Sequence, residues 1–226
     1  MKYLNLLCLL LVSLVSFSQY TPAEIKKYKI AKITATSYNK DGQVSSKLQT
    51  WYDRNGNDTV SYNNGELFKR SVYQVNAKNK IIRRTNTNAL LQQVDISDYT
   101  YKPDGSYFIK NTDKEFNLTD FTYYDSKGRI TKTISPDGTS TIYTYNSKGQ
   151  LMGIKSKPGA KGIAVDTHYT YNNKGQQIKE VSTGEYKWTR TFEYDSKGLL
   201  IKATNSSVED GVEYLTVDKY EYEFWQ

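Results

Sequence analysis

Cysteine, histidine and proline are scarce in this chain of 226 residues, which contains one, one and four of them, respectively. Cys8 is the sole cysteine and lies in an N-terminal apolar run that we expect to be removed. The mature protein then has no disulfide, thiol nucleophile or cysteine-ligated zinc. His168 has no second histidine for a metal pair, and no Gly-x-Ser-x-Gly hydrolase motif is present. Strand alternation predicts that its side chain lies on the face opposite Tyr169 and Tyr171.

Phosphate-binding, calcium-binding and nucleotide-binding loops are also missing from the sequence. Carboxylates are plentiful, and a glycosidase needs two of them roughly 5 to 9.5 Å apart, but nothing in the sequence singles out a pair. We therefore expect a non-enzymatic protein with no catalytic residues, no metal and no cofactor. A glycan-active enzyme that uses carboxylates is the less favoured alternative.

One long apolar run is present, from Leu4 to Val15, and it follows the positively charged Lys2. Small residues at positions 16 and 18 then precede Gln19, a pattern typical of a signal-peptidase site. The run is shorter than the about 20 residues of a comfortable transmembrane helix. We predict a signal peptide over residues 1–18, no transmembrane segment after cleavage, and export to the bacterial periplasm, cell surface or medium. A retained anchor is the alternative.

A tyrosine followed by a polar turn that ends in Lys-Gly occurs four times in the second half of the chain. The copies are Tyr124–Gly128, Tyr145–Gly149, Tyr171–Gly175 and Tyr194–Gly198. Their tyrosines are 21, 26 and 23 residues apart. Such a period is typical of repeat architectures, in which each unit is one supersecondary element that cannot bury its own apolar face.

Each copy has the residues of a β-hairpin turn. Asp or Asn at the first turn position accepts hydrogen bonds from the backbone that follows, and glycine accepts the positive φ that closes the turn. The flanking residues alternate as in strands: Tyr143 and Tyr145 lie on one face and Thr144 on the other. One unit is therefore predicted to be strand, regular turn, strand and variable turn.

Weaker copies precede these four. They are Tyr52–Gly56, Val75–Asn79 and Tyr101–Gly105, and shorter hairpins are predicted at Tyr38–Gly42 and Tyr62–Gly65. Asparagine at position 79 replaces glycine, and it is the residue that next most readily adopts the left-handed conformation. The repeat covers roughly residues 38–205 without a linker, so we predict a single domain over residues 19–226.

The segment Tyr-Asp-Ser-Lys-Gly-Arg-Ile at residues 124–130 resembles the YD repeat of the RHS family, and so does Pro136–Gly138 followed by Tyr-Thr-Tyr-Asn. In large members of that family the repeats form a spiralling β-sheet that encloses a toxin or displays a surface, and some members are associated with carbohydrate binding. The resemblance implies the fold of the unit. The present chain is too short to form such a shell and has no toxin-like domain.

Charge and aromatic content suggest what the repeats bind. The chain has 31 Lys and Arg against 24 acids, and 21 tyrosines. The turn lysines 127, 148, 174 and 197 are either solvated hairpin tips or a row of cations for an acidic polymer. Nucleic acid is not expected, because we predict export. The tyrosines favour a structural role, and the alternative is a platform for stacking sugar rings. The candidate binding residues are Tyr186, Trp188 and Arg190 on one strand face, together with Trp51.

Two terminal features complete the prediction. Thr21, Pro22 and Glu24 are typical of a helix start, so we expect a short helix near 22–28 that covers one open end of the sheet. Tyr220, Tyr222 and Phe224 alternate as in a closing strand. The predicted fold is all-β, an antiparallel meander of hairpins in an elongated or spiralling twisted sheet.

The predicted function is that of a secreted or periplasmic binding or scaffold protein that recognises a glycan or envelope polymer. The main alternative is a module that binds a protein partner through its sheet edges. An outer-membrane β-barrel is less favoured, because the strand segments are interrupted by charged residues and the mean hydropathy is −0.71.

Overall fold

The computed structural model describes residues 20–89, 91–160, 162, 164–209 and 211–226, and it is almost entirely β-sheet. Residues 1–18, the predicted signal peptide, lie outside the described residues, as does Cys8. A six-residue helix, α1 (Pro22–Lys27), precedes the first strand. The strands are β1 (Ile30–Tyr38), β2 (Val44–Tyr52), β3 (Asp58–Asn63), β4 (Glu66–Val75), β5 (Ile81–Asn88), β6 (Gln93–Tyr101), β7 (Tyr107–Asp113), β8 (Leu118–Tyr124), β9 (Ile130–Ile134), β10 (Ser140–Tyr145), β11 (Leu151–Lys157), β12 (Asp166–Tyr171), β13 (Gln177–Ser182), β14 (Trp188–Tyr194), β15 (Leu200–Glu209) and β16 (Val212–Phe224).

The strands form an antiparallel meander that closes into a barrel. Each strand pairs with its neighbours in sequence, and β1 also pairs with β16, from Ile30 opposite Phe224 to Tyr38 opposite Val217. The predicted meander of hairpins is confirmed, but the expected elongated or spiralling sheet is wrong, because the meander closes. Closure gives the backbone N–H and C=O groups of the two terminal strands partners that a free edge lacks.

Helix α1 lies at the junction of the first and last strands. The side chain of Thr21 accepts from the Glu24 N–H (3.2 Å), and the Glu24 carboxylate accepts from the Thr21 N–H (2.8 Å), which forms the predicted capping box. Ile25 packs with Ile30, Ile33 and Leu199 in a buried cluster, the seam cluster. The short helix thus covers the inside of the barrel where the first and last strands pair. None of the described helical residues belongs to a helix long and apolar enough to cross a bilayer.

The buried face of the barrel is largely polar midway along the strands. Its most buried residues include small hydroxyl side chains, such as Ser97 and Thr167. Ser97 donates to the Asn111 side chain at 2.7 Å. Arg190 and Asp218 form an ion pair at 3.2 Å with side chains only 6% and 7% exposed. These partners supply hydrogen bonds or opposite charge to groups that are costly to bury alone, although the buried Nε of Arg190 has no hydrogen-bond partner.

Asp58 is the centre of another inner polar cluster. It accepts from Lys69 Nζ at 2.6 Å, Ser71 Oγ at 3.0 Å and Tyr73 OH at 2.6 Å. Burial acts to raise the pKa of Asp58, but the charge and hydrogen bond of Lys69, helped by Tyr73, lower it to about 2. The carboxylate therefore stabilises the fold in its ionised form.

The repeat tyrosines tie each hairpin to the one before it. Tyr145, the last residue of β10, donates through its hydroxyl to the carbonyl of Ile130, the first residue of β9, at 2.7 Å. Tyr171 reaches Leu151 in the same way at 2.8 Å, and equivalent bonds are made by Tyr101, Tyr194 and Tyr222. Each ring is partly buried while its hydroxyl bonds a backbone carbonyl. These hydrogen bonds are consistent with the structural role that the sequence predicts for the tyrosines.

Candidate binding surface at the repeat rim

The regular turns share one geometry, which begins at the residue after the tyrosine. In the turn at 125–129, the Asp125 N–H donates to the Arg129 carbonyl at 2.9 Å and the Gly128 N–H donates to the Asp125 carbonyl at 3.0 Å. The Asp125 side chain accepts from the N–H groups of Lys127 and Arg129, each at 2.9 Å. Gly128 has a φ of 77°, and Asn79 occupies the same position with a φ of 58°. The predicted turn chemistry, including the asparagine substitution, is confirmed.

Seven of these turns lie at one end of the barrel. In an antiparallel meander every second connection lies at the same end, so turns from distant parts of the chain come together. We call this end the repeat rim and include α1 with its flanking residues and the chain end. It comprises residues 20–29, 53–57, 76–80, 102–106, 125–129, 146–150, 172–176, 195–199 and 225–226. The connections at the opposite end, the variable rim, differ from one another in length and sequence.

The repeat rim holds the whole net charge of the protein. It contains twelve Lys and Arg and five Asp and Glu, a net charge of +7. The chain as a whole has 31 of the former and 24 of the latter, also +7, so the remaining residues contain 19 of each. Charges elsewhere on the molecule cancel, and the positive potential is concentrated at one end.

Four exposed lysines project from consecutive regular turns. These rim lysines are Lys127, Lys148, Lys174 and Lys197. Within the described part of the chain, none of them forms an ion pair with a carboxylate. Most acids in the regular turns are instead used by the turns themselves. Partial burial acts to raise the pKa of Asp125, but hydrogen bonds from Arg129 and Lys127 hold it below its ordinary value. The lysine charges are therefore available to a ligand.

Neighbouring turns contact each other along the rim. The Gln150 side chain donates to the Gly175 carbonyl at 3.3 Å, and the two turns enclose a shallow groove. Lys148, Tyr171 and Lys174 are among the residues that line it. Two cations beside an aromatic ring and an amide suit an acidic sugar, since carboxylate or sulfate groups bind lysine and the sugar ring packs on tyrosine.

The three candidate residues on β14 and its preceding loop do not form one exposed face. Arg190 is 5% exposed and points into the barrel, where it pairs with Asp218 and also donates to Tyr220 OH at 3.3 Å. Trp188 is half-buried and pairs with Ser207, on the same face as Arg190. Tyr186 lies in the loop before the strand, on the variable rim, and is exposed.

Trp51 lies apart from that group. Its ring packs against Tyr62, with centroids 5.2 Å apart, and below Lys32 Nζ, 4.9 Å from the ring centroid. Four strand pairings separate its strand from β14.

His168 is exposed and its Nε2 lies 3.2 Å from Asp166. Tyr169, at the adjacent position, is buried, as alternation predicts.

The sequence identified Lys148 and Lys174 as turn residues but did not predict the groove between their turns. Because every second connection of a meander lies at the same end, counting connections would have placed the two lysines together.

Comparison with known proteins identifies the repeat. The RHS repeat family profile matches residues 124–160. This segment is similar to an RHS repeat. It begins at Tyr124, the residue from which the resemblance to the YD repeat was read, and it includes two of the rim lysines. The comparison with curated proteins finds no match.

Solved structures with a similar chain course include a porin-like protein from Bacteroides uniformis, with 11% identity and a TM-score of 0.44, covering 86% of this chain and 98% of that one. The TcdB2-TccC3 structure has 16% identity and a TM-score of 0.40 over 82% of this chain. The Photorhabdus luminescens Tc holotoxin pore has 12% identity and a TM-score of 0.32 over 78% of it. This chain spans 11% and 14% of those two chains. Similarity at this level implies no shared function.

Proposed function

We propose that this RHS-repeat protein is a non-catalytic binding protein of the bacterial envelope that holds an acidic polysaccharide at the repeat rim. The observation that carries the proposal is the charge distribution: the rim has a net charge of +7, and the rest of the chain is balanced. A linear polyanion presents its charges at regular intervals, and turns repeated around a barrel present theirs in the same way.

The groove between the turns at 146–150 and 172–176 supplies the contact for an individual sugar unit. Lys148 and Lys174 contact its acidic groups, and Tyr171 packs against the ring. Burial raises the pKa of the Tyr171 hydroxyl, which donates to Leu151, so it remains a neutral group over the physiological range. Export through the predicted signal peptide would place this surface among envelope polymers.

Closure of the barrel weakens the alternative in which the protein binds a partner through sheet edges. Residues Ile30–Tyr38 and the facing residues of β16 pair with each other, so the two strands that end the meander are occupied. Edge pairing would require a pairing to open. We therefore base the proposal on side chains of the rim.

The test compares two variants of equal net charge. One replaces the four rim lysines by Gln, and the other replaces four exposed lysines elsewhere, the control lysines. The control lysines are Lys40, Lys110, Lys114 and Lys187. Binding to immobilised polygalacturonate, with neutral dextran as the blank, is measured over a range of salt concentrations.

The rim variant should bind at least about tenfold more weakly, because each lost contact costs on the order of 0.5 kcal/mol or more. The control variant should bind like the wild type, and binding by the wild type should weaken with added salt. Equal losses in both variants would show that only total charge matters, and would overturn the proposal.

A further inference from the structure

The variable rim differs from the repeat rim in the side chains that it exposes. Large apolar residues in its connections and hairpin ends are open to solvent, among them five that we call the rim-tip residues. These are Leu91, Phe116, Tyr186, Val212 and Tyr214, and they are 41% to 61% exposed. At the repeat rim, lysine occupies the tip of five of the seven regular turns.

The rim-tip residues come from separate connections distributed around the barrel. They lie between β5 and β6, between β7 and β8, between β13 and β14, and at the end of the hairpin of β15 and β16. That hairpin continues beyond both neighbours, because β14 pairs only as far as Ser207 and β1 only as far as Val217. The end of this hairpin, which includes Val212 and Tyr214, therefore projects from the rim.

Charge distinguishes this end further. The described connections of the variable rim, together with the hairpin end at 212–214, contain three lysines and five acids, a net charge of −2. The outer wall next to it has the surface ion pair Lys155–Asp166, at 3.8 Å. The variable rim thus lacks the positive charge of the repeat rim and exposes apolar side chains at its tips.

We propose that the variable rim inserts its tips into the surface of a lipid bilayer with neutral headgroups. Apolar and aromatic side chains on separate tips enter a fluid surface independently, whereas a protein partner requires one contiguous, complementary patch. Here polar residues such as Glu115 and Gln92 separate the tips. Tyrosine is favoured at the level of the lipid headgroups, and phenylalanine and leucine bury at the boundary with the acyl chains. Because the rim has no net positive charge, it has no attraction to anionic lipids, which suits a zwitterionic surface. The repeat rim would then point away from the membrane.

The test is flotation with phosphatidylcholine vesicles at high salt. It uses the chain from Gln19, which contains α1 and all the strands and lacks the N-terminal apolar run. One variant changes the five rim-tip residues to Ser. The matched control changes five exposed apolar residues of the wall to Ser, namely Val72, Ile82, Ile142, Met152 and Ile201. Circular dichroism and the thermal midpoint of each variant establish that it is folded.

The wild type should float with neutral vesicles, the rim-tip variant should lose about tenfold of its bound fraction, and the wall variant should remain within about twofold of the wild type. Failure of the wild type to float would overturn the proposal. Equal behaviour of the two variants, or binding only to anionic vesicles at low salt, would also overturn it.

A second measurement does not depend on the multiple variants. An environment-sensitive fluorophore attached through Phe116→Cys should shift its emission to the blue when neutral vesicles are added, whereas the same label at Val72→Cys should not. No shift at position 116, or equal shifts at both positions, would contradict insertion of the variable rim.

Discussion

The two ends of the barrel are built from the same strands but from different connections. At the repeat rim, the turns share one set of backbone hydrogen bonds and present lysines, and α1 packs over the seam cluster. Among the described residues of the variable rim, only the turns at 39–43 and 135–139 have those hydrogen bonds, and apolar tips are exposed. The difference teaches that repetition specifies one end of the molecule, while the other end is free to diverge.

The largest contrast in stability is expected between Ile25 and Leu91. Ile25 is 1% exposed in the seam cluster under α1, whereas Leu91 is 61% exposed on the variable rim. Ile25→Ala should lower the free energy of unfolding by about 3 kcal/mol, because it leaves a cavity in a buried cluster. Leu91→Ala should change it by less than about 0.5 kcal/mol. Urea denaturation of both variants checks this. Similar losses would mean that α1 is not docked as described.

Two glycines in regular turns provide the next contrast. Both have positive φ, but a Cβ at Gly56 would overlap the Pro22 carbonyl at the start of α1, whereas a Cβ at Gly42, on the variable rim, meets nothing within 4 Å. Gly42→Ala should cost about 1 kcal/mol from backbone strain alone. Gly56→Ala should cost about 2 kcal/mol more, since the helix must move. Thermal unfolding of both variants measures the two costs. Equal costs would contradict the contact between the start of α1 and Gly56 at the repeat rim.

Acid should weaken the inner polar cluster around Asp58. Asp58 has a folded pKa of about 2, below its ordinary value of 3.8, so its stabilising effect is present above the ordinary pKa and is lost as pH falls through the folded one. Stability should fall by about 2 kcal/mol between roughly pH 4 and pH 2 from this group. The same titration of Asp58→Asn should show a smaller decrease. An unchanged pH dependence in that variant would contradict the assignment.

The smallest contrast concerns single hydroxyl groups. Tyr171 ties neighbouring hairpins by its bond to the Leu151 carbonyl at 2.8 Å, just inside the repeat rim. Tyr171→Phe should cost about 1 kcal/mol, the net value of one hydrogen bond. Tyr186→Phe on the variable rim changes an exposed hydroxyl and should cost less than about 0.5 kcal/mol. Chemical denaturation of the pair measures the difference, and a neutral Tyr171→Phe would show that the tie is unimportant.

Much of the local structure was predictable from the sequence, because the residues of each regular turn themselves form its hydrogen bonds. Asp or Asn at the first position and glycine at the fourth predict the turn at 125–129 and its copies, and Thr21 and Glu24 predict the start of α1. Closure was not predictable. The pairing of β1 with β16 joins the two ends of the chain, and no local pattern reports such a contact.

The candidate site was predicted less well for a related reason. Alternation places Trp188 and Arg190 on one strand face, but it does not tell which face becomes the interior of a closed barrel. Arg190 therefore looked like a ligand-binding cation, yet it forms an internal ion pair with Asp218. The lysine row was visible in the sequence. Its clustering with the other cations of the repeat rim depends on which turns lie at the same end of the barrel, and that follows from the order of all the strands.

The measurement that tests the central claim most directly is lysine footprinting by acetylation and mass spectrometry, with and without polygalacturonate. The account predicts that the polymer protects the four rim lysines together and leaves the control lysines as reactive as before. Protection spread evenly over both sets, or confined to the control lysines, would contradict the assignment of binding to the repeat rim.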